Sequence, residues 1–220
     1  FLLNTRELGI ERHNVGAVVY CSENIPFKEI VSQIPEVSEC LNGFHTPIPK
    51  MFYSTYRVKE WDGKTTDGEQ CIDLEDETIN QDYADFFGVE VLDGSMLDEK
   101  DGKDKVVINE AAVKVFGWTQ PVGKKIAKLG KQYIVKGVIK NISYNAPIHP
   151  VAPAMFHLPD SRDRGGPIFK VKEGTWNIVS EKIKAEVNKV NPNAELMLSN
   201  IEEVYDAYMK SERTLCKLLS

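Results

Sequence analysis

The sequence predicts an α+β protein of two lobes, and three observations support this fold class. Strand, helix and strand patterns follow one another near each end of the chain, and two short helices that each end in Phe-Gly lie between them. At 220 residues the chain can bury a sizeable core. We therefore expect a split α+β lobe built from both chain ends, with a mixed α/β lobe inserted into it.

The first elements belong to the split lobe. Residues 16–21 form a buried strand, and Pro26 stands at the first position of a helix that Pro35 terminates. Alternating and aromatic patterns then predict further strands at residues 40–44, 51–61 and 70–75.

Two similar helices dominate the central segment. Asn80 and Asn109 are N-cap residues for helices over 81–87 and 110–116, and Gly88 and Gly117 end them in the left-handed conformation. Residues 106–108 lead into the second helix as a strand. A turn at 121–124 and a buried strand at 133–140 follow. Because helices this short are marginal alone, both must pack against a sheet.

The C-terminal part returns to the split lobe. Residues 168–171 form a strand, Thr175 caps a helix that Asn191-Pro192 stops, and residues 195–198 form the next strand. An amphipathic helix runs from Ile201 to Ser220. The Pro- and Gly-rich residues 145–166 are the return crossing between lobes. The predicted division is therefore 1–80 with 160–220 as one lobe, and 81–159 as the inserted lobe.

Composition excludes several function classes. The net charge of -6 and a pI near 5.4 argue against a nucleic-acid-binding protein. The lysines at 124, 125, 128 and 131 are interpreted as the solvated face of a hairpin. No window approaches the roughly 18 consecutive apolar residues of a bilayer helix.

The sequence offers no catalytic, cofactor or metal site. The four histidines, at 13, 45, 149 and 157, lack a ligand spacing. The acids at 98, 99, 101 and 104 miss the calcium-loop pattern because Lys100 stands at a ligand position. Gly63-Lys64-Thr65 lacks the first glycine of a phosphate-binding loop. We therefore expect a non-enzymatic protein without a cofactor.

The order of the central elements resembles the extracytoplasmic core domain of the MacB/FtsX-type ABC-transporter permeases. The residues that carry the resemblance run from the first short helix to the buried strand and comprise Tyr83, Phe87, Gly88, Leu92, Gly94, Val106 to Asn109, Ala111, Ala112, Phe116, Gly117, Pro121 to Lys124, and Gly137 to Ile139. The helix from Ile201 fits the segment that leads from this domain back to the membrane.

The resemblance implies a periplasmic or extracytoplasmic domain of a bacterial inner-membrane protein. Its lobes would be a membrane-proximal porter-like lobe and a membrane-distal inserted lobe. The partners would be a second permease subunit in a homo- or heterodimer, a cytoplasmic ATPase reached through the membrane helices and, in some members, a periplasmic adaptor; nucleic acid is not among them. The work would be export, including efflux, lipoprotein release or signalling, driven by ATP hydrolysis elsewhere. We expect apolar spans of about 20 residues before Phe1 and after Ser220.

The resemblance also indicates which residues could form the helix joint, the surface for partners and a disulfide. Tyr205 and Tyr208 are candidates for a stiff joint between the last helix and its lobe, with ordinary core packing as the alternative. The surface for partners would include the loop from Leu97 to Lys105 and the turn around Trp118. An extracytoplasmic Cys21 and Cys40 would be either a disulfide across neighbouring strands or free, buried thiols.

Two other functions stay open. One is a ligand-binding or sensory domain of a membrane receptor, which requires an enclosed pocket with convergent polar groups. The other is a secreted enzyme, which requires a titratable pair in a cleft.

Overall fold

The computed structural model describes residues 9–22, 25–43, 54–64, 70–143, 150–160 and 165–218, with the backbone alone at 212, 213 and 215–218. The chain forms two compact units. Unit 1 comprises Phe1–Glu11 and Lys50–Asp160, and unit 2 comprises Arg12–Pro49 and Ser161–Ser220. The α+β fold class with two lobes is thus confirmed.

Unit 2 is a four-stranded antiparallel sheet with three helices. Its elements are β1 (Val15–Cys21), α1 (Phe27–Ser32), β2 (Val37–Leu41), β11 (Ile168–Val171), α4 (Trp176–Val190), β12 (Leu196–Asn200) and α5 (Ile201–Leu218). The strand order β12-β1-β11-β2 gives two interleaved β-α-β units, the ferredoxin-like arrangement. The split lobe expected from both chain ends is therefore present.

One core joins the sheet of unit 2 to α1 and α4. Phe27 and Val31 of α1 pack with Val179 and Ile183 of α4, and the rings of Phe169 and Trp176 stack with their centroids 6.3 Å apart. A Cβ on Gly16 would come within 2.4 Å of Trp176 and 2.7 Å of Phe169. Glycine on this central strand therefore makes room for the two rings.

The described residues of unit 1 form eight strands and two helices. They are β3 (Thr55–Val58), β4 (Glu60–Trp61), β5 (Ile72–Thr78), α2 (Gln81–Phe87), β6 (Val91–Gly94), β7 (Lys105–Asn109), α3 (Glu110–Phe116), β8 (Lys125–Lys128), β9 (Lys131–Ile139) and β10 (Ala154–His157). The order is β3-β5-β10-β7-β9-β8-β4, and β6 also pairs with β9. The β5–β10 and β7–β9 pairs are parallel.

The sheet of unit 1 closes on itself through one segment. Strand β3 pairs with β5 at one end of the strand order, and β4 pairs with β8 at the other. Only Lys59 separates these two strands in sequence, so residues 55–61 bridge both edges. Closure of this kind removes the exposed edges of a sheet.

This pairing corrects the predicted division of the chain. Residues 54–80 were expected with the chain ends, but β3, β4 and β5 are strands of the unit 1 sheet. Residues 145–166 were expected as the return crossing between the lobes, but β10 lies within them as a strand of the unit 1 sheet, parallel to β5. In both places the deciding interaction is a pairing between strands far apart in sequence, which local patterns do not reveal.

The helices of unit 1 have the predicted bounds and caps. The side chain of Asn80 accepts a hydrogen bond from Tyr83 N, and that of Asn109 accepts one from Ala112 N. Gly88 and Gly117 follow the helices with φ of 64° and 68°. In unit 2, by contrast, Thr175 precedes α4 without capping it, because its hydroxyl donates to Lys172 O.

Candidate functional site: the joint between the last helix and the small sheet

Helix α5 directly follows β12, the last strand of the unit 2 sheet. Strand β12 ends at Asn200 and α5 begins at Ile201, so no loop separates them. The side chain of Asn200 accepts hydrogen bonds from the backbone N–H groups of Glu202 (3.0 Å) and Glu203 (3.2 Å). This cap satisfies two of the donors that a helix start leaves open, so the strand-to-helix junction is fixed in direction.

The first two turns of α5 are anchored by two buried side chains. Ile201 is 0% exposed and Tyr205 is 1% exposed, one helical turn apart on the same face. The helix packs against β1 and β12. Tyr208 is only half-buried. Of the two tyrosines predicted for a joint, Tyr205 therefore has the burial that a rigid contact requires.

The segment that precedes β1 holds the same part of the helix. The guanidinium carbon of Arg12 lies 5.0 Å from the centroid of the Tyr205 ring, a cation–π geometry. His13 Nδ1 lies 2.8 Å from Oε1 of Glu202, with 73% of the His13 side chain exposed. The start of α5 is therefore fastened to its own strand, to the sheet face and to the chain entering β1. Arg12 could not be recognised from the sequence because its partner, Tyr205, is 193 positions away.

The loop from Leu97 to Lys105, predicted as part of the surface for partners, is held against strand β9 by ion pairs with Lys136. Asp98 N donates to Oδ2 of Asp101 (2.8 Å), and Lys136 bridges the two carboxylates at 3.5 and 2.5 Å. Burial opposes ionisation of Asp101, but the backbone N–H of Asp98 and the Lys136 ammonium outweigh it and lower the pKa of Asp101. Residues 98–100 and 102–104 remain exposed. The loop is accessible and has a defined conformation.

Trp118 is buried within the turn that was predicted as part of the surface for partners. Its ring is only 9% exposed and stacks on Phe116 at a centroid distance of 4.3 Å. Its Nε1 donates to the backbone oxygen of Asp62 (2.7 Å). Trp118 therefore joins α3 to the strand β4 segment and belongs to the core of unit 1.

Cys21 and Cys40 do not have the arrangement that a disulfide between them would need. Strand β11 lies between β1, which carries Cys21, and β2, which carries Cys40. Two strands separated by a third are about 9–10 Å apart, beyond the Cα separation of a disulfide. Both thiols are free and half-buried, and burial raises the pKa of Cys40. Cys71 is free and exposed.

The described part of the chain shows little that resembles a chemical site. Among these residues no group of three or more His, Cys, Asp or Glu side chains is placed to hold a metal ion. His45 and His149 lie outside the described residues, as does Thr65 of the Gly-Lys-Thr motif. An open depression of about 170 Å³ beside β4 and β8 is smaller than ordinary ligand pockets of about 300–1,000 Å³. No described helix is long and apolar enough to cross a bilayer.

Similar folds occur among solved transporter domains. The sequence matches no protein-family model and no curated protein. In structure, the chain is similar to a domain described as a permease from Porphyromonas gingivalis, with a TM-score of 0.59, 14% identity, and 87% of this chain and 92% of that chain covered. The periplasmic region of MacB from Actinobacillus actinomycetemcomitans gives a TM-score of 0.54 and 14% identity, covering 93% and 96% of the two chains.

A third similar structure is the extracellular domain of the noncanonic ABC-type transporter YknZ from Gram-positive bacteria. Its TM-score is 0.51 at 16% identity, with 84% of this chain and all of that domain (100%) covered. The chain therefore has the fold of these MacB-like permease domains, as the resemblance in sequence implied.

Proposed function

We propose that the chain is the extracytoplasmic domain of an ABC-transporter permease subunit in a bacterial inner membrane. It is non-catalytic and transmits motion to the outside of the membrane when a cytoplasmic ATPase hydrolyses ATP. The shared fold supports the placement, and the α5 joint supports the mechanical role. Unit 2 is assigned as the membrane-proximal, porter-like lobe because it contains α5, and unit 1 as the membrane-distal lobe.

The single observation that carries this proposal is the loop-free junction of β12 with α5. A helix keeps its backbone hydrogen bonds internal and transmits displacement along its axis. Tyr205, Arg12 and the Asn200 cap prevent α5 from pivoting against the sheet. A force applied to α5 from the membrane side therefore moves the sheet of unit 2 with it.

The partners in this proposal are a second permease subunit and the ATPase that drives both. A periplasmic adaptor would complete the assembly where the work is efflux. Export, lipoprotein release and signalling would all use the joint between α5 and the unit 2 sheet. Each of them requires that a movement on the cytoplasmic side be transmitted to the extracytoplasmic domain.

The location is tested with the natural thiol of Cys71, which is exposed. The full-length protein is expressed in its own cells, the outer membrane is removed, and a membrane-impermeant maleimide is added before or after lysis. We expect equal labelling of Cys71 in both cases, with Cys71→Ala identifying the signal. Labelling that appears only after lysis would place unit 1 in the cytoplasm and end the proposal.

A further inference from the structure

The hairpin between β8 and β9 has a turn of unusual composition. Two residues, Leu129 and Gly130, join the strands, and their φ angles are +51° and +75°. Positive φ at both central positions is typical of type I′ turns, which favour Asn-Gly or Gly-Gly. A leucine here is strained because its side chain crowds the backbone in the left-handed region.

Leu129 gains no packing in return for this strain. It is 78% exposed, more than any other large apolar side chain in the described ranges, of which Val190 comes next at 62%. Neither local conformation nor burial therefore accounts for leucine at this position. A strained residue that contributes nothing to the core points to a role outside the fold.

The residues next to the turn hold Leu129 and Gly130, here called the tip of the hairpin, in a fixed position. The Leu129 N–H donates to the hydroxyl of Tyr56 (2.8 Å). Lys128 bonds to Oδ2 of Asp76 and lies 5.3 Å from the centroid of the Tyr56 ring. The apolar side chain is thus presented from a fixed base, which reduces the entropy lost when a partner binds it.

The surroundings of the tip are positive although the chain carries a net charge of -6. Lys131 is the strand partner of Lys128, and Lys59 lies beside Lys128 because the next residue, Glu60, pairs with Ala127. Both Lys59 and Lys131 are exposed, and neither forms an ion pair with a described acidic side chain. Asp76 pairs with Lys128, and its other carboxylate oxygen lies 3.7 Å from His157 Nε2, but it pairs with neither Lys59 nor Lys131. The base of the tip therefore keeps a positive charge.

We infer that Leu129 anchors a docking site for a protein partner that presents an apolar socket with an acidic rim. One apolar anchor inserted into a socket and surrounded by weaker polar contacts is the usual composition of a binding hot spot. A lipid surface is the poorer occupant, because membrane attachment requires a much larger buried apolar area than one leucine supplies. This site lies within unit 1, so it is independent of the α5 joint in unit 2 and goes beyond the mechanical role.

The substitution Leu129→Asn separates folding from docking. Asparagine tolerates positive φ, so the full-length variant should melt a few degrees higher, about 2–5 °C, than the natural protein. The matched control is Val190→Asn, which removes an exposed apolar side chain of α4.

Docking is measured with a benzophenone amino acid placed at position 129 or, as the control, at position 190 of the full-length protein in its own cells. The protein crosslinked at 129 is identified, purified and titrated against the natural chain and both variants. We expect Leu129→Asn to weaken binding about tenfold or more, Val190→Asn to leave it unchanged, and added salt to weaken it.

Three results would overturn the inference. The first is crosslinking at 129 no stronger than at 190, or to lipid alone. The second is crosslinking to a second copy of this chain. The third is a crosslinked protein that binds Leu129→Asn as tightly as the natural chain. None of them affects the labelling of Cys71, so failure here and failure of the proposed function are distinguishable.

Discussion

The guanidinium of Arg12 stacks on the ring of Tyr205, with 5.0 Å between its central carbon and the ring centroid. Arg12 is the first residue of unit 2 and Tyr205 lies in the second turn of α5, so the contact joins the entry of the chain into the unit to its last helix. Replacing Arg12 by Gln should lower the free energy of unfolding by about 0.5–1 kcal/mol through loss of the cation–π contact. A double-mutant cycle with Tyr205→Leu in urea measures the coupling, and additive effects would show that the contact contributes nothing.

Tyr205 should contribute far more than Tyr208 to the stability of α5 on the sheet. Truncation of a fully buried aromatic side chain costs about 3–5 kcal/mol, whereas a half-buried one costs about 1 kcal/mol. Hydrogen exchange of the α5 and β12 amides should therefore accelerate strongly in Tyr205→Ala and little in Tyr208→Ala. Tyr205→Phe, which keeps the ring, is the control. Equal exchange in both alanine variants would remove Tyr205 from its role as the anchor.

Asn109 connects three elements of unit 1. Its Oδ1 accepts from Ala112 N and Ala154 N, and its Nδ2 donates to Ala152 O, all within 3.0 Å. Asn109→Ala should cost about 3–5 kcal/mol because it leaves several buried polar groups without partners. Asn80→Ala loses a single cap bond and should cost about 1 kcal/mol. Urea unfolding compares the two, and similar losses would mean that the bonds from Asn109 to the β10 segment are unimportant.

The carboxylate of Asp101 should contribute to stability in a pH-dependent way. Its pKa in the folded protein is lowered, so this contribution is complete above about pH 4 and is lost as the pH falls through the folded-state pKa. Asp101→Asn should therefore be less stable than the natural protein at pH 7, and the difference should disappear toward pH 2. Glu99→Gln, in the same loop, is the control. A difference that is constant with pH would exclude the ion pair with Lys136 as its source.

The sequence predicts best the elements that local chemistry decides. Asparagine caps and left-handed glycines fix α2 and α3 within a few residues, so both bounds could be read directly. Strand β10 was missed because it lies between prolines and is defined by its pairing with β5. The disulfide geometry was also misjudged, because insertion of β11 between β1 and β2 depends on residues more than 100 positions away.

The candidate site was predicted only in part for the same reason. An amphipathic helix with two tyrosines is visible in the sequence, and it indicated where a joint could form. Which tyrosine is buried depends on the position of α5 over β1, and the contact of Arg12 depends on the start of that strand. The strained Leu129 is a further example, since Leu-Gly is not a typical type I′ sequence and the turn is set by the strands on either side.

If α5 and the small sheet move as one rigid body, the distance between a label on α5 and a label on α4 stays constant while the whole unit moves. Spin-labelled amino acids are placed at the exposed positions Ser211 on α5 and Ala185 on α4 of the full-length protein, in a membrane that also holds the ATPase of the proposed transporter. We predict that the distance from Ser211 to Ala185 is the same without nucleotide and with trapped ATP, while the distance from Ala185 to a label on the ATPase changes. In Tyr205→Ala, the distance from Ser211 to Ala185 should broaden or shift between the two states. A distance from Ser211 to Ala185 that changes with nucleotide in the natural protein would show that α5 moves against the small sheet and does not carry it along.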